Sequence, residues 1–180
     1  MIPNQWLLKI KVDVDTINSI LPNTIYNEVD IEEKSTEGKL SRQWEFTNCD
    51  VLVSYIRKEL NKLEQEFFDI KNTKWTSGWM VEGYENSYHR MHRHTPQGDY
   101  TIKPSDKDLA TIIYTDVPEN KDDRGELFFI LKKDDDIILD TIIPEKGDMI
   151  IMPCTVYHGV YPQGPGKRKT INLDFKHINA

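Results

Sequence analysis

The second half of the 180-residue chain is a succession of short apolar runs, and this succession constrains the fold more than any other feature. Turn-forming stretches rich in Gly, Pro, Asp and Lys separate the runs. Short strands repeated about every 8–12 residues are typical of two antiparallel sheets packed face to face. The sequence therefore predicts a mainly β (α+β) chain whose core is a double-stranded β-helix, a cupin-like jelly roll. The eight runs are GWMVEGY, SYHRMHRH, LATIIYTDV, GELFFILK, DIILDTII, GDMIIMP, YHGVYP and KTINLDFKH.

The first 74 residues carry a different pattern, which predicts a support for that core. Residues 5–14 alternate in their second half and predict a strand. Residues 49–70 place apolar side chains near i, i+3, i+4 and i+7, which predicts an amphipathic helix with Asp50 as its N-cap. We expect a single domain over all 180 residues, in which residues 1–74 form a strand and helical buttress and residues 75–180 form the double-stranded β-helix.

Charge and cysteine content restrict the partners and the compartment. The net charge of −7 argues against nucleic acid or an anionic membrane as a partner. The opening residues have neither the pattern of a signal peptide nor that of a membrane span. The two cysteines lie far apart in the sequence, which fits a reducing compartment, so we expect a cytoplasmic protein. The edge strands of a jelly roll also leave a homodimer open.

Three of the five histidines fall within the stretch HRMHRH, which begins at His89. His92 and His94 are two residues apart, and residues i and i+2 of a strand point to the same face. Both imidazoles can therefore turn toward one ion, whereas His89 is expected to face the opposite side if the stretch is a strand. His158 supplies a distant third imidazole on a neighbouring strand. Two ligands from one strand and one from another suit a facial metal site with an open side.

An arginine and a threonine follow the third histidine. Arg168 lies ten residues after His158, and Thr170 is two residues further on, so both are expected on one face of the last strand. An arginine fork beside a hydroxyl suits a carboxylate ligand. The sequence thus predicts a metal site and a carboxylate site in the same half of the chain.

Taken in order, these segments resemble the 2-oxoglutarate- and Fe(II)-dependent oxygenases of the prolyl-hydroxylase-like group, nearest to small phage and bacterial members with an H-x-H motif. The resemblance covers about residues 76–176. It rests on GWMVEGYENSYHRMHRH before and through the first metal motif, on LATIIYTDV and RGELFFI in the middle, and on KGDMIIMPCTVYHGVYP followed by KRKTINLDF at the end.

The resemblance implies roles for individual residues. His92 and His158 match two iron ligands of the family. Arg168 matches the arginine that forms a salt bridge to the far carboxylate of 2-oxoglutarate. Tyr114 matches a family tyrosine that also bonds that carboxylate, and Tyr84 matches a second family tyrosine that points into the pocket. The implied cosubstrate-binding residues are Arg168, Thr170, Tyr114 and Tyr84.

One position departs from the family pattern. The common motif is H-x-D or H-x-E, and His94 stands where the carboxylate belongs. His94 itself is a candidate ligand, Asp99 is an alternative carboxylate five residues later, and the third position is otherwise left to water or an anion.

The resemblance implies a dioxygenase, by default a hydroxylase, that uses Fe(II) and 2-oxoglutarate on a small-molecule or peptide substrate that the sequence does not identify. Two other functions stay open on the same fold. One is a cupin-type metalloprotein, an isomerase or a dioxygenase, that works without 2-oxoglutarate. The other is a non-catalytic binding protein.

Overall fold

The computed structural model of the protein describes residues 6–29, 38–39, 42–63, 68–95 and 103–178. These residues form twelve strands and two α-helices. In chain order the elements are β1 (Leu8–Lys11), α1 (Val14–Ile20), β2 (Ile25–Val29), β3 (Gly38–Lys39), β4 (Arg42–Asn48), α2 (Asp50–Asn61), β5 (Thr73–Gly83), β6 (Tyr88–His92), β7 (Leu109–Asp116), β8 (Leu127–Lys133), β9 (Asp136–Ile142), β10 (Asp148–Pro153), β11 (Tyr157–Val160) and β12 (Arg168–His177).

The strands form two antiparallel sheets. The larger sheet has the order β1-β10-β7-β12-β5-β4-β2, and the smaller has the order β3-β6-β11-β8-β9. Each of the eight runs in the second half of the sequence forms one strand, β5 to β12. Neighbours in the sheets are mostly distant in the sequence, as in the pairing of β12 with both β5 and β7. The predicted mainly β jelly roll is therefore confirmed.

The larger sheet separates two apolar cores, and the alternation of side chains along its strands explains why. On β7, Leu109 and Ile113 pack into a core with the helices, whereas Ala110, Ile112 and Tyr114 pack into a core with the smaller sheet. Successive residues of a strand point to opposite faces, so a strand buried on both sides is apolar throughout. Ala110, Ile112 and Tyr114 therefore face the space between the two sheets.

Strand β12 uses the same alternation for a different purpose. Ile171, Leu173 and Phe175 are fully buried in the core against the helices. The intervening side chains face the smaller sheet, and these are polar, beginning with Arg168 and Thr170. One face of this strand therefore packs against the helices, and the other presents polar groups to the smaller sheet.

The first 74 residues contribute strands to both edges of the larger sheet and helices to its outer face. Helix α2 buries Leu52, Ile56 and other apolar residues against the sheet. Its N-cap is Cys49, so the expectation that Asp50 caps it is wrong; Asp50 is the first helical residue, where its charge favours the positive end of the helix. Among the described residues, no helix combines the length and apolar character needed to cross a bilayer.

Candidate active site

A cavity lies between the two sheets, with about 440 Å³ of space that is free of protein atoms and partly open to solvent. Its walls combine an apolar lining with a concentration of imidazole rings and one guanidinium. The residues that line it are Trp79, Val81, Gly83, His89, His92, His94, Ile112, Tyr114, His158, Val160, Arg168, Thr170 and Asn172.

Three histidines converge at one end of this cavity. His92 on β6 and His158 on β11 are direct partners across neighbouring antiparallel strands, and their ring centroids are 4.5 Å apart. His94 follows two residues after His92, and its ring lies 4.9 Å from that of His158. One ligand atom from each of the three lies within 4.8 Å of the others. Metal–nitrogen bonds of about 2.1 Å then need only small side-chain rotations toward a shared ion.

Hydrogen bonds on the Nδ1 atoms prepare the three rings for metal binding. Nδ1 of His92 faces the carbonyl of Arg90 at 2.8 Å, and Nδ1 of His158 faces the carbonyl of Val156 at 3.2 Å. Because a carbonyl only accepts, each Nδ1 carries the proton, and Nε2 keeps the lone pair that a metal needs.

His94 has a different kind of partner. Its Nδ1 lies 2.6 Å from Oδ1 of Asp174, and both side chains are buried. Trp79 packs against the imidazole, with ring centroids 5.0 Å apart. The ring is therefore held on two sides, and its Nε2 is left as the donor atom.

The environment keeps the imidazole of His158 uncharged. Burial, together with the neighbouring His92 and His94 rings, holds the pKa of His158 well below its ordinary value. A neutral imidazole is the form that binds a divalent ion.

His89 also lines the cavity, which contradicts the expectation that it faces away. The pairing of β6 with β11 matches His158 to His92 and Val160 to His89, so β6 carries one extra residue at a β-bulge. A bulge turns residues three apart to the same side. Nε2 of His89 is buried and has no hydrogen-bond partner among the described residues, and burial lowers the pKa of this imidazole well below its ordinary value.

A buried cation stands on the cavity wall formed by the larger sheet. Arg168 is only 6% exposed, and within the described residues its guanidinium makes a single hydrogen bond, from an Nη atom to the carbonyl of Arg124 at 3.3 Å. Within the described part of the chain, no carboxylate lies within salt-bridge distance of this guanidinium. Burial accordingly lowers the pKa of Arg168. A buried charge without a counterion is costly, which favours an anionic ligand here.

Two further predicted residues lie beside Arg168. Thr170 lines the cavity from the same face of β12, as expected from their spacing. Tyr114 on β7 pairs with Thr170 across the strands, and its buried hydroxyl has no hydrogen-bond partner in the part of the chain that the structure describes. The guanidinium, the Thr170 hydroxyl and the Tyr114 hydroxyl therefore offer donors to one ligand.

The remaining predicted residues do not join this group. Strand β5 ends at Gly83, and Tyr84 begins an exposed turn in which its amide donates to Oγ of Ser87. Tyr84 is 45% exposed and is not among the residues that line the cavity, so the structure gives no support to its predicted place in the pocket. Asp99 lies outside the described residues.

Sequence reasoning missed two polar residues on β12. Asn172 lines the cavity, and Asp174 supports His94 from behind. Both continue the period of two that begins with Arg168 and Thr170, so extending that period would have found them. The bulge that turns His89 inward has no comparable local signal.

The residues present fit a divalent metal ion. Three imidazoles meet with their Nε2 atoms as donors, and one of them is backed by a carboxylate, as is common for metal-bound histidine. The cavity leaves space beside them, and a cation in the same cavity suits an anionic co-ligand. The arrangement is suited to chemistry at a metal site with an open position.

Comparison with solved structures identifies the fold. The chain superposes on HygX from Streptomyces hygroscopicus, solved with nickel and 2-oxoglutarate bound, with a TM-score of 0.67 and 12% identity over 97% of this chain and 84% of that one. An oxidoreductase of the 2OG-Fe(II) oxygenase family from Burkholderia pseudomallei gives a TM-score of 0.65 at 9% identity, covering 97% and 86%. The viral collagen prolyl hydroxylase of Paramecium bursaria Chlorella virus-1 gives 0.62 at 15% identity, covering 96% and 97%.

The chain therefore has the double-stranded β-helix fold of these oxygenases. No protein-family model matches the sequence, and no curated protein matches it either. The likeness is thus one of fold at low sequence identity.

Proposed function

We propose that this protein is a 2-oxoglutarate- and Fe(II)-dependent dioxygenase, acting as a hydroxylase. The observation that carries the proposal is the pairing, in one cavity, of a three-histidine cluster with a buried arginine that has no carboxylate partner among the described residues. A ligand that chelates the metal at one end and carries a carboxylate at the other would bind both the metal and Arg168. 2-Oxoglutarate has this chemistry.

The three histidines are the proposed iron ligands. His92, His94 and His158 would hold Fe(II) through Nε2, since their Nδ1 atoms face hydrogen-bond acceptors. When bound, iron with 2-oxoglutarate supplies the oxidation of a C–H bond by O₂, coupled to decarboxylation of the cosubstrate. The protein's part is to position both and to keep water and its own side chains away from the reacting centre.

Arg168 is the proposed anchor for the 5-carboxylate of 2-oxoglutarate. Its guanidinium offers a two-pronged donor in a buried place, where such an ion pair is strong. Thr170 and Tyr114 would add hydroxyl donors, and the unpartnered hydroxyl of Tyr114 supports this assignment. His89, with a buried and unpartnered Nε2 in the same cavity, is available to the bound cosubstrate or substrate.

Occupation of the third protein position by His94 bears on the reaction outcome. An oxygenase site that lacks its carboxylate ligand leaves a position for a halide or for water. Here the buried ring of His94, whose ligand atom lies within 4.8 Å of those of His92 and His158, would take that position. This supports hydroxylation over halogenation.

A cytoplasmic location is part of the proposal. Both cysteines, Cys49 and Cys154, are buried and form no disulfide. Such thiols persist in a reducing compartment, which also keeps iron in the Fe(II) state.

Calorimetric titration of the anaerobic Fe(II)-loaded protein with 2-oxoglutarate tests the proposal. We expect one binding event per chain, which is weakened at least about 30-fold in Arg168→Ala because a buried charge pair is removed. Arg42→Ala is the matched control, since Arg42 is an exposed arginine of the same sheet outside the cavity and should leave binding unchanged. Unchanged affinity in Arg168→Ala would overturn the role of Arg168 as the anchor, and a wild type that binds no 2-oxoglutarate would favour a cupin-type protein that works without this cosubstrate.

A further inference from the structure

A buried carboxylate lies directly behind one of the three imidazoles. Asp174 on β12 is 1% exposed and accepts a hydrogen bond from Nδ1 of His94 at 2.6 Å. Its second oxygen accepts from Oγ of Ser77 at 3.3 Å. In the described part of the chain, no lysine or arginine lies within salt-bridge distance of Asp174. The imidazole of His94 is therefore the group that interacts with the charge of Asp174.

This contact makes His94 unlike the other two histidines. The Nδ1 atoms of His92 and His158 face neutral backbone carbonyls, whereas that of His94 faces a carboxylate at a shorter distance. Hydrogen bonds to ionised groups are shorter and about twice as strong as neutral ones. An imidazole that donates to a carboxylate is also a more basic ligand through its other nitrogen.

The contact also joins the two sheets. His94 follows β6 of the smaller sheet, whereas Asp174 lies on the larger one. The 2.6 Å hydrogen bond between them fixes the orientation of the ring across the cavity. Trp79 limits rotation from another side.

We infer that Asp174 is a positioning residue that supplies, through the His94 ring, the negative charge that a carboxylate ligand gives directly to the metal in the H-x-D motif. The H-x-H motif lacks the carboxylate ligand, but the Asp174 carboxylate lies on the other side of the His94 ring from the Nε2 atom that would bind the metal. The inference rests on the proposed function for the choice of iron, but not for the binding of a divalent ion by the three histidines.

Metal affinity tests the inference without any need for turnover. The protein is titrated with Co(II) in competition with a chelator of known affinity. Asp174→Asn is nearly isosteric and can still accept from Nδ1, so it removes the charge and little else. We expect this variant to bind Co(II) about 10- to 100-fold more weakly than the wild type.

Two matched variants separate charge from packing. Asp140→Asn removes an exposed carboxylate on β9 and should bind Co(II) like the wild type. Ser77→Ala removes a hydrogen bond to Asp174 but leaves its charge in place, so it should lose less affinity than Asp174→Asn. Equal Co(II) affinity in Asp174→Asn and the wild type overturns the inference while leaving the proposed function intact.

A measurement on the unmodified chain covers the case in which Asp174→Asn does not fold. Nitrogen-15 NMR of the Zn(II)-loaded wild type reports which nitrogen of His94 carries the proton. We expect a proton on Nδ1, strongly hydrogen-bonded, and zinc on Nε2. A proton on Nε2 overturns the inference.

The outcomes distinguish the two proposals. Metal binding that depends on Asp174, without binding of 2-oxoglutarate, supports the inference and overturns the proposed function. A wild type that binds no divalent ion overturns both.

Discussion

At the scale of single residues, the strongest indications of function are polar groups that the protein itself leaves unsatisfied. Tyr114 is 1% exposed, yet its hydroxyl has no hydrogen-bond partner, and Nε2 of His89 is in the same situation. Buried polar atoms are nearly always bonded, because an unpaired one costs about 1–3 kcal/mol. Both line the same cavity as Arg168, so they mark where a ligand is expected.

Tyr114→Phe should therefore separate stability from binding. Removing an unpartnered buried hydroxyl relieves its desolvation cost, so we expect the free energy of unfolding to stay equal or rise by about 1 kcal/mol. The same variant loses a donor to the carboxylate of 2-oxoglutarate, so its affinity should fall about tenfold or more. Denaturant unfolding and calorimetry check the two effects. A loss of stability with unchanged affinity would mean that the hydroxyl is structural.

Tyr114 also predicts an alkaline limit to stability. Burial raises its pKa from 10.0 to about 12, so the folded protein holds the phenolic proton more tightly than the unfolded chain. This contribution is complete below pH 10.0 and is lost as the pH rises toward about 12. Over that interval the unfolding free energy of the wild type should fall more steeply than that of Tyr114→Phe.

Parallel pH profiles for the wild type and Tyr114→Phe would contradict the assignment.

At the scale of elements, the last strand of the smaller sheet is unusual for its exposure. Ile137 and Leu139 on β9 are 78% and 60% exposed, and β9 is an edge of its sheet in the described structure. Exposed apolar edges tend to pair with other strands. An antiparallel pairing of β9 with its own copy about Leu139 sets Asp136 opposite Ile142 and Asp140 opposite Ile138, so that no two carboxylates meet.

A homodimer through β9 stays a prediction, and Leu139→Lys tests it. The substitution brings two ammonium groups together at the centre of the pairing, so we expect sedimentation velocity to show the wild type as a dimer and the variant as a monomer. Its thermal midpoint should differ little from that of the wild type, because the side chain is largely exposed. A wild type that sediments as a monomer at every concentration would rule this dimer out.

The elements also show which features a sequence can reveal. The alternation of apolar residues along β12 indicated both its strand structure and the common face of Arg168 and Thr170, because period two is a local property. The bulge in β6 depends on its register with β11, which no local pattern encodes, so the expectation that His89 faces away from the cavity is wrong. The place of Tyr84 in the pocket rests on the family resemblance alone, and Tyr84 begins a turn after β5 and is not among the residues that line the cavity.

The helix ends illustrate the same limit. Asp50 is a good N-cap by residue type, but the helix begins one residue earlier than that role requires, with Cys49 at the cap position. The structure gives Asp13 as the cap of α1, with its carboxylate accepting from the amides of Asp15 and Thr16. Cap positions depend on how the chain enters the helix, which the residue type alone does not determine.

At the scale of the whole molecule, the candidate site depends on both sheets. Strands β6 and β11 of the smaller sheet provide His92 and His158, and β12 of the larger sheet provides Arg168. The cavity lies between the sheets, where β12 turns the polar side chains of Arg168, Thr170 and Asn172 toward the smaller sheet. A metal ion and a chelating dicarboxylate would bridge the two layers.

The most direct test of this account is an anaerobic titration of the Fe(II)-loaded protein with 2-oxoglutarate, followed in the visible spectrum. Chelation of iron by the cosubstrate gives a weak metal-to-ligand charge-transfer band. We predict a band that saturates at one 2-oxoglutarate per chain, that persists in Arg42→Ala and that is lost in Arg168→Ala at the same ligand concentration. Absence of the band in the wild type, with iron shown to be bound, would contradict the account.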